Sequence, residues 1–229
     1  MIIKGLQKTT LLDFPGRIAC TVFTGGCNFR CPFCHNASLV LSHTEIPEIS
    51  NEEFFDFLAK RQGILDGVCI TGGEPLLQND IIPFLEKIHE LGFKIKLDTN
   101  GSFPERLRKI VERGLVDYIA MDIKNCREKY DITSGSHASD KNAFESIAYI
   151  MSCGVPYEFR TTVVKELHTH DDILSIAQHI EGANGYFLQV FEDSDKVIER
   201  SFTAHDESTM KEMLEIIKPY VKVCAIRGM

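Results

Sequence analysis

Along its 229 residues the chain alternates short apolar, β-branched runs with amphipathic stretches, and most of the apolar runs stop at polar or glycine-rich residues. Residues 18–23, bounded by Gly16 and by Gly25-Gly26, read as a buried strand, and 68–71, 93–97, 118–121, 157–164 and 186–190 read the same way. Between the first two, Ser50-x-x-Glu53 has the form of a capping box that opens a helix with the apolar face Phe54, Phe55, Phe57 and Leu58. Ile81, Ile82, Phe84, Leu85, Ile88 and Leu91 fall on a second helical stripe, and further helices are predicted over 104–113, 143–152, 171–180 and 207–218. The polar stretch 131–142 predicts a loop, and a last apolar run spans 221–226. No linker composition interrupts this rhythm, so a single domain over 1–229 is expected.

About six strand–helix units with buried strands predict an α/β fold, either an open doubly wound sheet or an incomplete (βα)6 TIM-like barrel of parallel strands. Ligands of both architectures bind at the C-terminal strand ends. The chain puts its unusual residues there: the cysteines after the first strand, Gly72-Gly73-Glu74-Pro75 after the second, Asp98-Thr99-Asn100-Gly101 after the third and Asp122-Ile123-Lys124 after the fourth. Any one of these is compatible with a turn. Four in succession beside a metal-type motif predict one binding mouth.

Three of the eight cysteines, Cys27, Cys31 and Cys34, crowd into eight residues, whereas Cys20, Cys69, Cys126, Cys153 and Cys224 are scattered and read as small core or surface residues. A chain of this size buries about 70–75% of its unfolded surface and needs no disulfide staples, so the cluster points to metal or redox chemistry. Soft thiolates at this spacing hold an iron–sulfur cluster or zinc. A structural zinc site must be closed by a fourth ligand, and His35, the nearest candidate, is adjacent to Cys34 and poorly placed to face the same ion. An iron cluster with one open position is favoured. The charge balance of 25 basic against 33 acidic residues, net −8, with no basic run, argues against a nucleic-acid polymer as partner. The opening MIIKGLQKTT lacks the apolar core of a leader and no stretch approaches 18 uninterrupted apolar residues, so a cytoplasmic protein with no membrane partner is expected.

Cys-x3-Cys-x2-Cys with an aromatic residue before the third cysteine resembles the signature of the radical S-adenosylmethionine superfamily, and Gly72-Gly73-Glu74-Pro75, 38 residues after Cys34, matches that superfamily's second motif. The stretch from Gly25 to Asn36, Leu97-Asp98-Thr99-Asn100-Gly101 and Met121-Asp122-Ile123-Lys124 further resemble the activating enzymes of glycyl radical enzymes. Within that group, Thr10-Leu11-Leu12-Asp13-Phe14-Pro15-Gly16, Phe159-Arg160-Thr161-Thr162-Val163-Val164 and Phe187-Leu188-Gln189 are similar to the activators of anaerobic ribonucleotide reductase. Pyruvate formate-lyase activators look similar up to Lys124, but carry a histidine where this chain has Gln189, Val190 and Phe191. The absence of further cysteines between Cys34 and Cys69 excludes the ferredoxin-type insert of some relatives.

The resemblance implies a [4Fe-4S] cluster on Cys27, Cys31 and Cys34, with its fourth iron open to the amino and carboxylate groups of S-adenosylmethionine. Reductive cleavage of that cofactor would yield a 5′-deoxyadenosyl radical that takes hydrogen from a glycine of a partner enzyme, with flavodoxin or ferredoxin as the low-potential electron donor. The cofactors carry this chemistry, so no side chain is assigned as catalytic acid or base. Gly72 and Gly73 admit close approach of backbone to ligand and Glu74 supplies an anion for an ammonium group. Phe33 and His35 are candidates to lie by the nucleoside, and Lys124 to meet the cofactor carboxylate, while Arg160 and Gln189 occupy matching positions on neighbouring strands as cofactor contacts or as structural pairs. Asp98 and Asp122, ending adjacent strands, would share a cation or bond the cofactor, since two bare carboxylates would otherwise raise one another's pKa. The resemblance adds a monovalent cation near Asp98, Thr99, Asp122 and Ile123. Two other readings follow the same residues: an activator of another glycyl radical enzyme, and a radical enzyme acting on a small molecule.

Overall fold

The computed structural model describes residues 1–229. In chain order its elements are β1 (Ile3–Thr10), β2 (Ala19–Thr24), α1 (Ala37–Leu41), α2 (Asn51–Ala59), β3 (Gly67–Gly72), α3 (Ile81–Glu90), β4 (Lys94–Thr99), α4 (Pro104–Glu112), β5 (Tyr118–Asp122), α5 (Tyr130–Ser134), α6 (Ser139–Ser152), β6 (Tyr157–Val163), α7 (His170–His179), β7 (Tyr186–Val190), α8 (Glu207–Ile217) and β8 (Cys224–Arg227). They gather into two compact units, the first made of Met1–Asn28, Ser38–Thr99 and Glu105–Ile119, the second of Phe29–Ala37, Asn100–Pro104 and Ala120–Met229.

In the first unit β2, β3 and β4 are parallel, with Thr21 opposite Cys69 and Cys69 opposite Lys96. The burial of both faces matches their continuous apolar runs. β1 pairs antiparallel with β2 and is not predicted from periodicity, because Gln7, Lys8 and Thr9 face solvent and its pairing is irregular at two places. Its stability comes from the ladder, not from an apolar stripe. Helix α2 begins at Ser50, whose Oγ accepts the Glu53 amide at 3.0 Å. Only this half of the expected capping box forms there; the reciprocal pair is built at Thr169 and Asp172, at the start of α7. The core of α2 and α3 is a three-ring cluster in which Phe54 stacks on Phe84 at 5.3 Å and Phe55 closes on both at 5.2 and 5.1 Å.

In the second unit β6, β7 and β8 are parallel, and α7 and α8 bury Ile173, Ile176, Met210, Met213 and Ile217. The expected loop at 131–142 instead contains most of α5 and the first turn of α6. Asp131 makes that possible, since its carboxylate accepts the amides of Ala138 and Ser139 and the Ser139 hydroxyl, ordering a polar turn that has no apolar period to read. Arg227 ends β8 with a two-pronged ion pair to Glu158, at 2.7 and 2.8 Å, while its guanidinium lies 3.7 Å over the Phe187 ring. No helix is long and apolar enough to cross a membrane.

The ring cluster should dominate the stability of the first unit. Phe54→Ala is expected to cost about 3–5 kcal/mol by urea denaturation, because it removes a fully buried ring whose neighbours are themselves rigid aromatics. A loss below 1 kcal/mol would show that the cluster is not a packed core.

Candidate active site

Within the first unit, the segment leading into Cys27 and the turn after β3 are built against one another. Gly73 donates its amide to the Thr24 carbonyl at 3.0 Å and Glu74 donates to that of Gly26 at 2.9 Å. The approach is close enough that a Cβ on Gly73 would lie 1.9 Å from the Gly26 oxygen, and one on Gly72, whose φ is +116°, 2.2 Å from the Thr24 nitrogen. Only glycine fits either position. Glu74 is fully buried, and its Oε1 accepts the Leu76 amide at 3.0 Å and the Thr99 hydroxyl at 2.8 Å. Its carboxylate therefore caps the turn at Pro75–Leu77 and ties it to the end of β4. Asp98 is ion-paired with Lys96, two residues back on the same strand face, and Cys69 lies beside both, 3.7 Å from the lysine nitrogen and 3.9 Å from the carboxylate.

The second unit holds the rest of the cysteine loop. Cys31 is buried and Cys34 half-buried, in a turn closed by the Cys34 amide on the Cys31 carbonyl at 3.0 Å. Four contacts fasten this loop: the Arg30 amide on the Ser134 carbonyl at 2.9 Å, the Glu199 amide on that of Pro32 at 2.8 Å, the Ala37 amide on that of Lys196 at 3.2 Å, and His35 Nε2 with the Glu192 carbonyl at 2.7 Å. The His35 ring also packs on Phe191 at 5.4 Å, so its side chain anchors the loop to the residues following β7. Phe33 is buried edge-on to His168 at 6.4 Å.

Asp122, at the end of β5, receives two cations. Arg160 Nε donates to one carboxylate oxygen at 2.8 Å and Lys124 Nζ to the other at 3.1 Å. Arg160, the charged residue inside an apolar strand, thus finds the partner that its burial demands. Ile123 is held on both sides, its amide donating to the Arg160 carbonyl and its carbonyl accepting the Thr161 hydroxyl, each at 2.8 Å. His168 is fully buried, with Nδ1 accepting the Val164 amide at 3.1 Å, so Nε2 carries the proton and donates to the Lys124 carbonyl at 2.7 Å. Gln189 sits half-buried on β7, in register with Thr162 and Arg227.

Electrostatics follow from these contacts. Burial alone would raise the Asp122 carboxyl, but Arg160 and Lys124 outweigh it and hold the group well below the usual carboxylate range. Within their own units, Asp98 is paired with Lys96 and Asp122 with Arg160 and Lys124. Burial pushes the Cys31 thiol up to about 11, with the Lys124 ammonium opposing the shift and the Cys34 and Asp122 charges adding to it. Burial would likewise discharge Lys124, yet Asp122 first and then Cys31 and Cys34 keep it protonated. Burial lowers His168, which stays neutral as its hydrogen bonds require.

The expected residues thus fall into two built groups: Cys27, Gly72, Gly73, Glu74, Asp98 and Thr99 in the first unit, and Cys31, Phe33, Cys34, His35, Asp122, Ile123, Lys124, Arg160 and Gln189 in the second. Lys96 and His168 were not anticipated. A lysine between Ile95 and Leu97 in a buried strand was the available signal for the first, because a charge there needs a partner. Nothing local marked His168.

The Radical SAM superfamily model matches residues 21–180. A Methanocaldococcus jannaschii protein provisionally named a glycyl-radical enzyme activating enzyme is 31% identical over 99% of this chain and 95% of its own length. The pyruvate formate-lyase-activating enzyme of Listeria monocytogenes is 35% identical over 59% of this chain and 59% of that enzyme. Among solved structures, Streptococcus suis SuiB superposes with a TM-score of 0.69 at 14% identity over 89% of this chain, which spans only 47% of SuiB, so the likeness is one of fold. That fold is the open, mostly parallel α/β architecture expected from the strand rhythm. The chain belongs to the radical SAM superfamily and, within it, to the family of the glycyl-radical enzyme activating enzymes.

Proposed function

We propose that this protein cleaves S-adenosylmethionine reductively and installs a glycyl radical on a partner enzyme, with anaerobic ribonucleotide reductase as that partner. The observation that carries the reading is the glycine cradle, where the Gly72-Gly73-Glu74 backbone is bonded to Thr24 and Gly26 at the entry to the cysteine loop. The residues fit the cofactors that the superfamily implies: three soft thiols, two of them close enough to Lys124 to feel its charge, and, in the first unit, a backbone stripped of side chains at Gly72 and Gly73. Cys27, Cys31 and Cys34 would hold three irons of a [4Fe-4S] cluster and leave the fourth for the amino and carboxylate groups of S-adenosylmethionine. When bound, the pair supplies a low-potential electron and homolytic bond cleavage, which no side chain can provide.

The chain's own residues bind, orient and exclude water. Gly72 and Gly73 let main chain approach the methionyl end, while Glu74 fixes their turn and keeps a buried anion beneath it. Asp122 aims Lys124 and Arg160, whose positive charges suit the cofactor carboxylate. Phe33, His35 and Gln189 wall the nucleoside end. Lys96 already balances Asp98, and Arg160 and Lys124 balance Asp122, so charge alone does not call for a monovalent cation near Asp98, Thr99, Asp122 and Ile123. A flavodoxin or ferredoxin would donate the electron. The Listeria relative supports pyruvate formate-lyase as the alternative partner.

Cys27→Ala, Cys31→Ala or Cys34→Ala should abolish cofactor cleavage and lower bound iron. Cys126→Ala or Cys153→Ala should not, since those sulfurs are engaged locally with Asp172 and the Ile150 carbonyl. Equal losses in both sets would remove the ligand assignment. Mixing the reduced protein with S-adenosylmethionine and an anaerobic ribonucleotide reductase should give a glycine-centred electron paramagnetic resonance doublet that a Gly→Ala reductase lacks. A doublet only with pyruvate formate-lyase would transfer the assignment to that partner.

Asp122 also makes a pH-dependent contribution. Its depressed pKa means that this stabilisation is complete above the unfolded value of about 4 and is lost as pH falls from there toward the folded value. Asp122→Asn should cost about 1–3 kcal/mol at pH 7, less than the loss of a fully buried partner because the carboxylate is one-third accessible. Urea melts of the metal-free protein should show the gap between the two proteins narrowing from pH 5 to pH 3; a gap that widens would contradict the ion-pair account.

A further inference from the structure

Three consecutive carbonyls lead into Cys27, and the residues after β3 engage each of them. Those of Thr24 and Gly26 accept the amides of Gly73 and Glu74. The carbonyl between them, that of Gly25, is met by a side chain: Gln78 Nε2 donates to it at 2.8 Å. Gln78 is only 7% exposed, and its Oε1 accepts the Ile2 amide at 3.2 Å, so each end of its carboxamide faces the group that suits it.

Burying a carboxamide is costly unless its bonds are made, and an apolar side chain of the same length would fill the space without that cost. What Gln78 holds is the peptide between Gly25 and Gly26. Adjacent glycines give a chain its greatest rotational freedom, and Gly26 stands at φ +88°. The other end of this peptide is tied by the Gly26 amide to the Leu39 carbonyl at 2.9 Å. With the Gln78 bond removed, the peptide can pivot about that single tie and displace the Gly26 carbonyl that receives Glu74. Arg106, in α4, seats Gln78 in turn, its Nη1 donating to the main-chain carbonyls of Leu76 and of Gln78, the latter at 3.1 Å.

We propose that Gln78, seated by Arg106, is a positioning residue for S-adenosylmethionine: it fixes the peptide between Gly25 and Gly26 and so sets the Gly73–Glu74 turn that takes the methionyl end. The inference rests on the cofactor reading proposed above and adds two residues that lie outside the motifs. Gln78 acts through the main chain and touches no reacting atom. Its loss therefore weakens cofactor binding and leaves the thiols able to hold their cluster.

Two measurements on the full-length protein test this. In the metal-free form, hydrogen exchange at the Gly73 and Glu74 amides should quicken about threefold to tenfold in Gln78→Met, with the amides of β7 and β8 unchanged. In the anaerobically reconstituted form, iron and sulfide should stay at wild-type content while KM for S-adenosylmethionine rises about threefold to tenfold and kcat is kept, the split expected when binding alone is lost. Gln78→Glu decides the matter if the methionine variant does not fold. Its protonated carboxyl can donate to Gly25 as the carboxamide does and its ionised form cannot, so protection of Gly73 and Glu74, relative to wild type at the same pH, should fall between pH 5 and pH 9. Comparison at equal pH removes the contributions of the Met1 ammonium, His43, Glu48 and Asp80, which line the same cavity. Wild-type exchange in Gln78→Met, or wild-type protection in Gln78→Glu throughout that range, would overturn the inference. Faster exchange with an unaltered KM would overturn it too, since the clamp would then serve the fold alone. A wild type that binds no S-adenosylmethionine would instead defeat the cofactor reading of the turn.

Discussion

The approach of Gly73 to the Gly26 carbonyl leaves less than the width of a methyl group between two turns, and the first unit's group of candidate residues is arranged around that contact. Once the two turns are locked, Glu74 has no route to solvent and must find donors nearby, which it does in Leu76 and Thr99. Those bonds in turn fix the end of β4. A buried carboxylate is usually a liability. Here it acts as a peg between the turn after β3 and the last residue of β4, with its hydrogen bonds making the burial tolerable.

The second unit solves a different problem, that of holding Asp122, Arg160 and Lys124 without leaving any of their charge unbalanced. Asp122 sits between Arg160 and Lys124, and the Lys124 carbonyl is held by the neutral ring of His168. Each partner limits the freedom of the next, so Lys124 is held by Asp122 of its own motif and by His168, which lies outside every recognisable one. The arrangement relies on His168 remaining uncharged, and its burial secures this.

The strands with continuous apolar runs were legible because burial on both faces leaves a direct mark on composition, and their ends at Gly72 and Asp122 fell within a residue or two of expectation. β1 was not, since an edge strand with solvent-facing Gln7, Lys8 and Thr9 owes its conformation to its neighbour. The order in 131–142 was hidden for a related reason: Asp131 organises it through hydrogen bonds to Ala138 and Ser139, and hydrogen bonds of that kind have no period. Among the candidate residues, spacing drew attention to the cysteines and to the glycines, and the tight approach at Gly72 and Gly73 is what only glycine permits. Lys96 and His168 act through tertiary partners, and a residue type alone does not say which partner it will meet.

The clasp of Arg227 on Glu158 and Phe187 bears on how well the rim of the second unit's strands is kept covered. β8 has only four residues and pairs with β7 alone, so within the second unit it is the outermost strand. Should it peel away, β7 would offer Tyr186, Phe187, Leu188 and Val190 with an open row of amides and carbonyls, the kind of rim that recruits a strand from another molecule. A short strand carrying a cation at its tip is a poor template for such growth. Held down by a buried carboxylate and an aromatic face, it works as a sacrificial hem: a strip with little packing of its own that keeps the adhesive cloth beneath it from fraying into its neighbours.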